Sequence, residues 1–299
     1  MEMVTIGIAS LGRPCLSRTL ASLGEIEVPA GLQVEIVVAD DDAGGAAAAR
    51  VAAGAPWKLP VRVVHVAAGN ISAARNACLE AANGTWMAFV DDDEWVDRDW
   101  LVRLFAAQAD YQADVVVGPV FPQYPAGTPD WLVAANPLYV DWGKRGRVLD
   151  TGRSGNVLIR RALIGRHGLR FDLRLGKTGG EDTDFFNRLH RAGARLVATD
   201  DARIYEEVPA ARLDPAYIRR RALRSGQSYA QFRLKGTTGR DLSGLIFHAD
   251  AAAKCLVNFA SALALRPIHP PRSFRFQQRG WMNLGKLRQF TGRGLPSMY

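Results

Sequence analysis

Patterns typical of strands and helices alternate over the first 120 residues, and this alternation limits the folds open to the chain. Short apolar runs rich in β-branched residues predict strands, and the segments between them have helical spacing or helix-stop signals such as Asn83-Gly84. Strands that alternate with helices form βαβ units and a parallel sheet. We therefore predict an α/β fold with an open, mostly parallel, Rossmann-like sheet and flanking helices. The predicted strands are 4–9, 34–39, 61–66, 86–90 and 115–120, and the predicted helices are 15–23, part of 43–55, 73–82 and about 97–110.

The later part of the chain has a different pattern. Residues 121–155 are rich in Pro, Gly and Trp, which predicts long loops. A strand pattern at 157–161 and a helix pattern at 184–191 follow. After Pro209 the sequence is mostly helical to about Leu265, and a tail broken by prolines ends the chain. We predict one domain over 1–208, divided at residue 120, and a helical, basic C-terminal extension over 209–299.

The net charge of +8 is unevenly distributed, because basic residues are concentrated after residue 203. Such a region suits an anionic membrane surface, a pyrophosphate-bearing molecule or nucleic acid, and a solvated basic face is an equally compatible interpretation. The concentrated residues are Arg212, Arg219, Arg220, Arg221, Arg224, Arg233, Lys235 and Arg240.

Four acidic residues, Asp91 to Glu94, directly follow the apolar run 86–90. Adjacent carboxylates repel one another, and burying them is costly unless a cation or several donors compensate. Ligands bind at the carboxyl ends of strands in open α/β sheets. Mg²⁺ and Mn²⁺ prefer one or two carboxylates together with phosphate oxygens. The run therefore indicates a site for a metal and a nucleotide; the alternative is an acidic turn that caps the next helix at Asp97.

Two further features are predicted at the same edge of the sheet. Asp40, Asp41 and Asp42 follow the second strand, where a carboxylate can accept hydrogen bonds from a ribose or a base, or can form an Asx turn. Arg75 lies in the first turn of a predicted helix. A helix N-terminus with a guanidinium suits a pyrophosphate, whereas the alternative is a helical Arg that faces solvent.

Glu181 and Asp182 follow two glycines and begin a helix with an apolar stripe. A carboxylate at this position is either an N-cap or a general base that deprotonates a hydroxyl group.

The sequence lacks the motifs of several other classes of site. The chain has no GxGxxG after its first strand, no GxSxG and no HExxH, and Arg13-Pro14 stands where a P-loop needs Lys and Ser or Thr. The three cysteines, Cys15, Cys78 and Cys255, are widely spaced and indicate neither a disulfide framework nor a thiolate metal site. The chain begins with a strand pattern, and residues 249–265 contain polar residues, so we expect a cytoplasmic protein without a membrane span.

Five segments in order resemble the motifs of the family 2 glycosyltransferases, and the resemblance covers about residues 3–208. Segments 204–209 and 219–226 make the chain most similar to the non-processive glucosyltransferases of bacterial exopolysaccharide assembly, of the succinoglycan type. The five segments are VTIGIASLGRP at 4–14, VVADDD at 37–42, AARN at 73–76, FVDDD at 89–93 and GEDTD at 180–184.

The resemblance implies a GT-A fold and roles for individual residues. Asp182 would be the catalytic base, with Glu181 beside it at the acceptor. Asp93 would bind the metal together with Asp91, as the two ends of a DxD motif. Tyr205-Glu206 stands where many members have a His that completes the metal site. The nucleotide-sugar would be bound by Ala9, Ser10, Arg13, Asp41, Arg75, Asp91 and Asp92.

The resemblance also implies an activity. We expect an inverting, Mn²⁺- or Mg²⁺-dependent hexosyltransferase that uses a UDP-sugar, with residues 1–120 binding the nucleotide and 121–208 binding the acceptor. The acceptor would be a hydroxyl group of a saccharide linked to polyprenyl pyrophosphate, and the enzyme would lie peripherally at the inner face of the cell membrane, without binding nucleic acid. The alternatives are a sugar-1-phosphate nucleotidyltransferase and a non-catalytic carbohydrate-binding protein.

Overall fold

The protein was analysed as a computed structural model that describes residues 2–234 and 241–290. The strands are β1 (Glu2–Ser10), β2 (Leu32–Asp40), β3 (Val61–His65), β4 (Trp86–Val90), β5 (Glu94–Val96), β6 (Val115–Val117), β7 (Val120–Gln123), β8 (Val148–Leu149), β9 (Asn156–Arg160), β10 (Leu196–Ala198) and β11 (Ile204–Glu207). The α-helices are α1 (Leu16–Leu23), α2 (Ala46–Ala53), α3 (Ile71–Ala81), α4 (Trp100–Tyr111), α5 (Asp130–Ala135), α6 (Arg161–Arg166), α7 (Glu181–Arg191), α8 (Pro215–Arg233), α9 (Leu242–Leu265) and α10 (Pro270–Phe290), and a 3-10 helix spans Ala210–Leu213.

Eight strands form one large sheet in the order β3-β2-β1-β4-β9-β6-β10-β8. The four strands β1 to β4 are parallel to one another, and β6 is parallel to β10. Strand β9 is antiparallel to β4 and β6, and β8 is antiparallel to β10. The prediction of a mostly parallel sheet is confirmed. A separate three-stranded sheet has the order β5-β11-β7.

Helices cover both faces of the large sheet, which explains why its central strands are continuously apolar. On one face, α1, α2 and α4 pack through residues such as Leu20, Val51 and Leu104. On the other face, α3 and α7 pack through Cys78, Phe185 and their neighbours. The two apolar layers leave the strand ends as the place where polar groups can gather.

Most of the predicted elements are present, with four corrections. Residues 121–155, predicted as long loops, contain α5 and β8. The predicted strand 115–120 is divided into β6 and β7, because Gly118-Pro119 interrupts it and Pro cannot donate a ladder hydrogen bond. Residues 94–96 form β5, so α4 begins at Trp100 and Asp97 is not its N-cap. The tail after Leu265 is helix α10, because the pair Pro270-Pro271 begins the helix rather than breaking it.

Contacts divide the chain into two compact units whose bounds differ from the predicted ones. The first comprises Met1–Phe121 with Val140–Glu206, and the second comprises Pro122–Tyr139 with Glu207–Tyr299. In the second unit, Arg275 Nε donates to Ala135 O at 2.9 Å and Gln278 Nε2 donates to Pro137 O at 2.6 Å, both from α10. Segment 122–139 is therefore tied to α10, which the sequence pattern did not indicate.

Within the described ranges, none of the helices combines the length and the apolar character that a membrane span requires. Two of the basic residues named above, Lys235 and Arg240, lie outside the described residues.

Candidate active site

The candidate site lies at the carboxyl ends of β1, β2 and β4. Because these strands are parallel, Ser10, Asp40 and Asp91 mark the same edge of the sheet. Strand β1 lies between β2 and β4, so the two acidic clusters are separated by one strand. Ala9 is buried in the apolar layer below this edge.

Asp92 is almost wholly buried, with 1% of its surface exposed, and its donors come from the end of β1 and the segment that follows it. Ser10 Oγ donates to Asp92 Oδ2 at 2.6 Å, and the guanidinium of Arg13 bonds to Asp92 Oδ1. Thr19 Oγ1 also donates to the backbone carbonyl of Asp92 at 3.0 Å. These contacts make Asp92 an internal anchor that joins residues 10–19 to the acidic run.

Asp93 lies beside the same arginine. Arg13 Nη1 donates to Asp93 Oδ2 at 2.8 Å. Burial and the neighbouring carboxylate of Asp91 raise the pKa of Asp93 to about 6, although Arg13 opposes this rise. A cation beside Asp93 would offset the repulsion from Asp91.

Arg75 is a buried link between the acidic run and the start of α7. Its Nη2 donates to Asp91 Oδ1 at 3.1 Å, and its Nη1 donates to Glu181 Oε1 at 2.8 Å and to Asp182 Oδ1 at 2.9 Å. Burial opposes the positive charge of Arg75, but Asp182, Asp91 and Glu181 outweigh it and raise the pKa of the guanidinium. One cation thus holds together three carboxylates from two distant parts of the sequence.

Glu181 and Asp182 occupy the first turn of α7. Gly179 and Gly180 precede them with φ angles of 79° and 92°, a conformation that favours glycine and turns the chain into the helix. Burial and the charge of Asp182 raise the pKa of Glu181, while Arg75 offsets part of the rise. The side chain of Asp182 keeps 20% of its surface exposed, so solvent or a substrate can reach it.

The two oxygens of Asp182 have different environments. Arg75 Nη1 donates to Oδ1, and so does Ser154 Oγ. Among the described residues, no donor bonds to Oδ2. The carboxylate is therefore held in place through one oxygen while the other can accept a proton.

Asp41, whose backbone N–H donates to Ser10 O at 2.8 Å, organises a loop. Its oxygens accept from the backbone N–H groups of Ala68, Gly69 and Asn70 at 2.7, 2.9 and 2.6 Å. Asn70 in turn caps α3, because its side chain accepts from Ser72 N and Ala73 N. Asp41 thereby fixes the start of the helix that carries Arg75.

The structure thus groups most of the predicted residues. Ser10 and Arg13 surround Asp92 and Asp93, and Arg75 joins Asp91 to Glu181 and Asp182, whereas Ala9 and Asp41 make no described contact with these carboxylates.

The sequence did not predict the role of Ser154 or the pairing of Glu94 with Glu206. Ser154 is buried and bonds to Asp182. Glu94 Oε2 accepts from Asp91 N at 2.8 Å, and Glu206 is its cross-strand partner between β5 and β11. Burial, then Asp91 and Glu206, raise the pKa of Glu94 well above its usual value. The contacts of Ser154 with Asp182 and of Glu206 with Glu94 join distant parts of the chain, so no local pattern could have predicted them.

Asp91 and Asp93 fit a divalent cation as a pair of hard oxygen ligands. No cluster of three or more His, Cys, Asp or Glu residues suited to a metal is found in the described part of the chain. A site of two carboxylates is still sufficient for Mg²⁺ or Mn²⁺ when phosphate oxygens and water supply the remaining ligands. The raised pKa of Asp93 agrees with this interpretation, because a cation would offset its repulsion by Asp91.

Residues 6–168 match the family described as glycosyl transferase family 2, and the chain belongs to this family. The resemblance to this family is therefore confirmed.

Among individual relatives, the chain is 39% identical over 231 residues to the succinoglycan biosynthesis protein ExoM of Rhizobium meliloti (strain 1021), a match that covers 76% of this chain and 74% of that protein. It is 29% identical over 167 residues to the putative glycosyltransferase EpsH of Bacillus subtilis (strain 168), covering 52% of this chain and 47% of that protein.

Solved structures of similar fold support the predicted GT-A fold. The mannosyltransferase PcManGT from Pyrobaculum calidifontis, in complex with GDP-Man and Mn²⁺, has a TM-score of 0.61 at 18% identity, covering 97% of this chain and 88% of that chain. Residues 1–349 of S. aureus TarS, in complex with UDP-GlcNAc, have a TM-score of 0.55 at 17% identity, covering 99% and 93%.

Proposed function

We propose that this glycosyltransferase moves a hexosyl group from a UDP-sugar, with inversion, to a hydroxyl group of a saccharide acceptor in exopolysaccharide biosynthesis. The observation that carries the proposal is the environment of Asp182, which is held through Oδ1 and can accept a proton at Oδ2. ExoM, a succinoglycan biosynthesis protein, is similar to the chain over three quarters of its length and supports the assignment to exopolysaccharide synthesis.

The proposed reaction is an in-line displacement at the anomeric carbon. Asp182 Oδ2 takes the proton of the acceptor hydroxyl group while its oxygen forms the new glycosidic bond. The bond from the anomeric carbon to the diphosphate breaks on the opposite face, and UDP carries away the electron pair. Glu181, beside Asp182, contacts the acceptor.

The acidic run and Arg75 serve the departing diphosphate. Asp91 and Asp93 would hold Mn²⁺ or Mg²⁺, which supplies electrostatic stabilisation of the leaving group when it is bound. Arg75 lies between Asp91 and Asp182, so its charge balances both the diphosphate side and the base side of the site. The Mn²⁺ in the structure of PcManGT supports the choice of metal.

Donor binding at the edge of the sheet involves Ser10, Arg13, Asp41 and Asp92 together with buried Ala9. In the structure, Ser10 and Asp92 bond to each other, and Asp41 binds the loop at 68–70. We therefore assign these residues the role of shaping the nucleotide site, with Arg13 the most exposed of them toward an incoming anion. The UDP and UDP-GlcNAc complexes of TarS support a uridine nucleotide.

The acceptor in this proposal is a saccharide linked to polyprenyl pyrophosphate, and the enzyme contacts the inner face of the membrane peripherally. The basic composition of the C-terminal region supports this, since cations near an anionic surface contribute about 1 kcal/mol each.

Calorimetry with a panel of nucleotide sugars, with and without Mn²⁺, tests the donor and the metal together. We expect a UDP-sugar to bind in the presence of Mn²⁺ and GDP-mannose, the matched control donor, to bind at least tenfold more weakly. A preference for GDP-mannose would contradict the uridine assignment. Equal affinity without a divalent cation would contradict the metal assignment.

A further inference from the structure

Helix α9 carries a continuous apolar face that is exposed. Its exposed large apolar side chains lie in two groups, at 242–246 and 256–263, and the exposed Ala249, Ala253 and Ala260 lie on the same face. A helix of this length extends about 36 Å. The large members of this apolar face are Leu242, Leu245, Ile246, Leu256, Val257 and Leu263, each between 51% and 74% exposed.

The opposite face of α9 is already occupied by its own unit. Gly244, Ala251, Cys255 and Ala262 are its buried residues. Cys255 Sγ lies 3.6 Å from Gly280 O, and Ser273 of α10 donates to Ala262 O at 2.7 Å. The apolar face therefore points away from the packing surface, and exposed apolar patches of this kind mark interaction sites.

The charge around this face distinguishes among partners. Residues 207–299 contain sixteen Lys or Arg residues against four Asp or Glu residues, whereas residues 1–206 contain 22 against 26. The exposed ion pair of Asp250 and Lys254, 2.7 Å between Oδ2 and Nζ, borders the apolar face, and the exposed Arg266 and Arg272 follow its C-terminal end. Two copies of so basic a region would repel each other, but an anionic lipid surface would attract it.

We propose that α9 lies in the plane of an anionic bilayer, with its apolar face at the level between the headgroups and the acyl chains. A long amphipathic helix with a basic surround and an apolar face binds membranes in this way without spanning them. This membrane contact rests on the proposed use of a lipid-linked acceptor. Binding through α9 would bring the enzyme to the surface where that acceptor resides. It assigns the contact to one helix face rather than to the arginines of the region in general.

Vesicle flotation with the full-length protein, without any nucleotide, tests the proposal. The vesicles contain phosphatidylcholine alone or phosphatidylcholine with phosphatidylglycerol at three to one. We expect the wild type to float with the anionic vesicles, and its affinity for neutral vesicles to be at least tenfold lower. The double variant Leu256→Glu with Val257→Glu should lose at least tenfold in affinity for the anionic vesicles.

Val148→Glu is the matched control, because Val148 is 61% exposed and lies in the other compact unit. It should float like the wild type, and thermal unfolding would show that both variants remain folded. Undiminished flotation of the α9 variant would overturn the proposal, and so would a wild type that does not bind anionic vesicles. A wild-type dimer that the α9 variant converts to monomers, without lipid binding, would assign the face to a second copy. Flotation needs no sugar donor, so a protein that does not float would not contradict the proposed glycosyl transfer. In the same way, a protein that does not transfer sugar would not contradict its binding to lipid.

Discussion

Arg75 is the residue on which the charge balance of the site depends. It is buried, and it contacts carboxylates from the acidic run and from the first turn of α7. A buried charge that loses its partner is costly, whereas a paired one is tolerated. The same side chain therefore supports both the stability of the site and its geometry.

Replacing Arg75 by Met would leave Asp91, Glu181 and Asp182 close together without a cation. We expect the free energy of unfolding to fall by about 3 kcal/mol, the lower end for breaking a buried pair, because Asp91 and Asp182 are partly exposed. Guanidinium denaturation measures the loss. Arg62→Met is the control, since Arg62 is 45% exposed in its pair with Glu35 and should cost less than about 1 kcal/mol. Equal losses would refute the special role of Arg75.

The raised pKa of Asp93 predicts how cation binding depends on pH. A metal binds the ionised carboxylate, so protons compete with it below the pKa of about 6. We expect the affinity for Mn²⁺ to fall by up to about tenfold per pH unit as the pH decreases below 6, and to level off above it. Titrations of Mn²⁺ alone, followed by electron paramagnetic resonance between pH 5 and 7.5, measure this. Asp93→Asn should bind Mn²⁺ weakly at every pH; a variant with wild-type affinity would remove Asp93 from the metal site.

A hydrogen bond joins the turn before β9 to the start of α7. Ser154 Oγ donates to Asp182 Oδ1, the oxygen that also accepts from Arg75. The two donors orient the carboxylate more tightly than the helix alone could. The sheet therefore contributes to the site through a loop, in addition to its strand ends.

Ser154→Ala should reduce kcat about tenfold and leave donor affinity unchanged, because a hydrogen bond to a charged group contributes about 1.5–3 kcal/mol and part of that orients Asp182. Thr151→Val is the matched control. The hydroxyl group of Thr151 lies in the same loop and is buried without a hydrogen-bond partner in the described structure. Steady-state kinetics would compare the two variants, and a Ser154→Ala enzyme with the kcat of the control would mean that Asp182 needs no such support.

The sheet could be predicted well from the sequence and the site only in part. Strands follow from local patterns, whereas the contacts of the site join residues that are distant in the sequence. Strand β4 was predicted with its observed bounds, because a continuous apolar run between turn signals leaves few alternatives. The bonds from Arg75 to Glu181 and from Ser154 to Asp182 span 106 and 28 residues, so no local pattern contains them. The prolines that begin α10 were predicted to break a helix, because the same residue type both ends and begins helices.

In the second unit, the backbones of helices α8 and α10 come into close contact at glycines. A Cβ atom on Gly226 would overlap the carbonyl oxygen of Met282, and one on Gly285 would overlap that of Leu223. The two backbones can approach so closely only because both positions lack side chains. This close approach holds together the unit that also contains α9.

Gly285→Ala should therefore destabilise the protein by about 1–3 kcal/mol, the usual range for overpacking. Gly165→Ala is the control, because a Cβ atom there would meet nothing within 4 Å. In a helix interior that change should be neutral or slightly stabilising. Denaturant unfolding of both variants would decide, and a Gly285→Ala protein as stable as the control would contradict the close packing of α8 and α10.

The proposed mechanism makes Asp182 the general base of a glycosyl transfer. The most direct measurement compares turnover and donor binding in Asp182→Asn, with Asp184→Asn as the control from the same helical turn, where Asp184 bonds to Arg188 at 2.7 Å. We expect Asp182→Asn to bind the donor normally while UDP release in the presence of acceptor falls by about 10²–10⁴-fold. Asp184→Asn should keep most of the turnover. Near-normal UDP release by Asp182→Asn would contradict the account and leave Asp182 as a residue that only begins a helix.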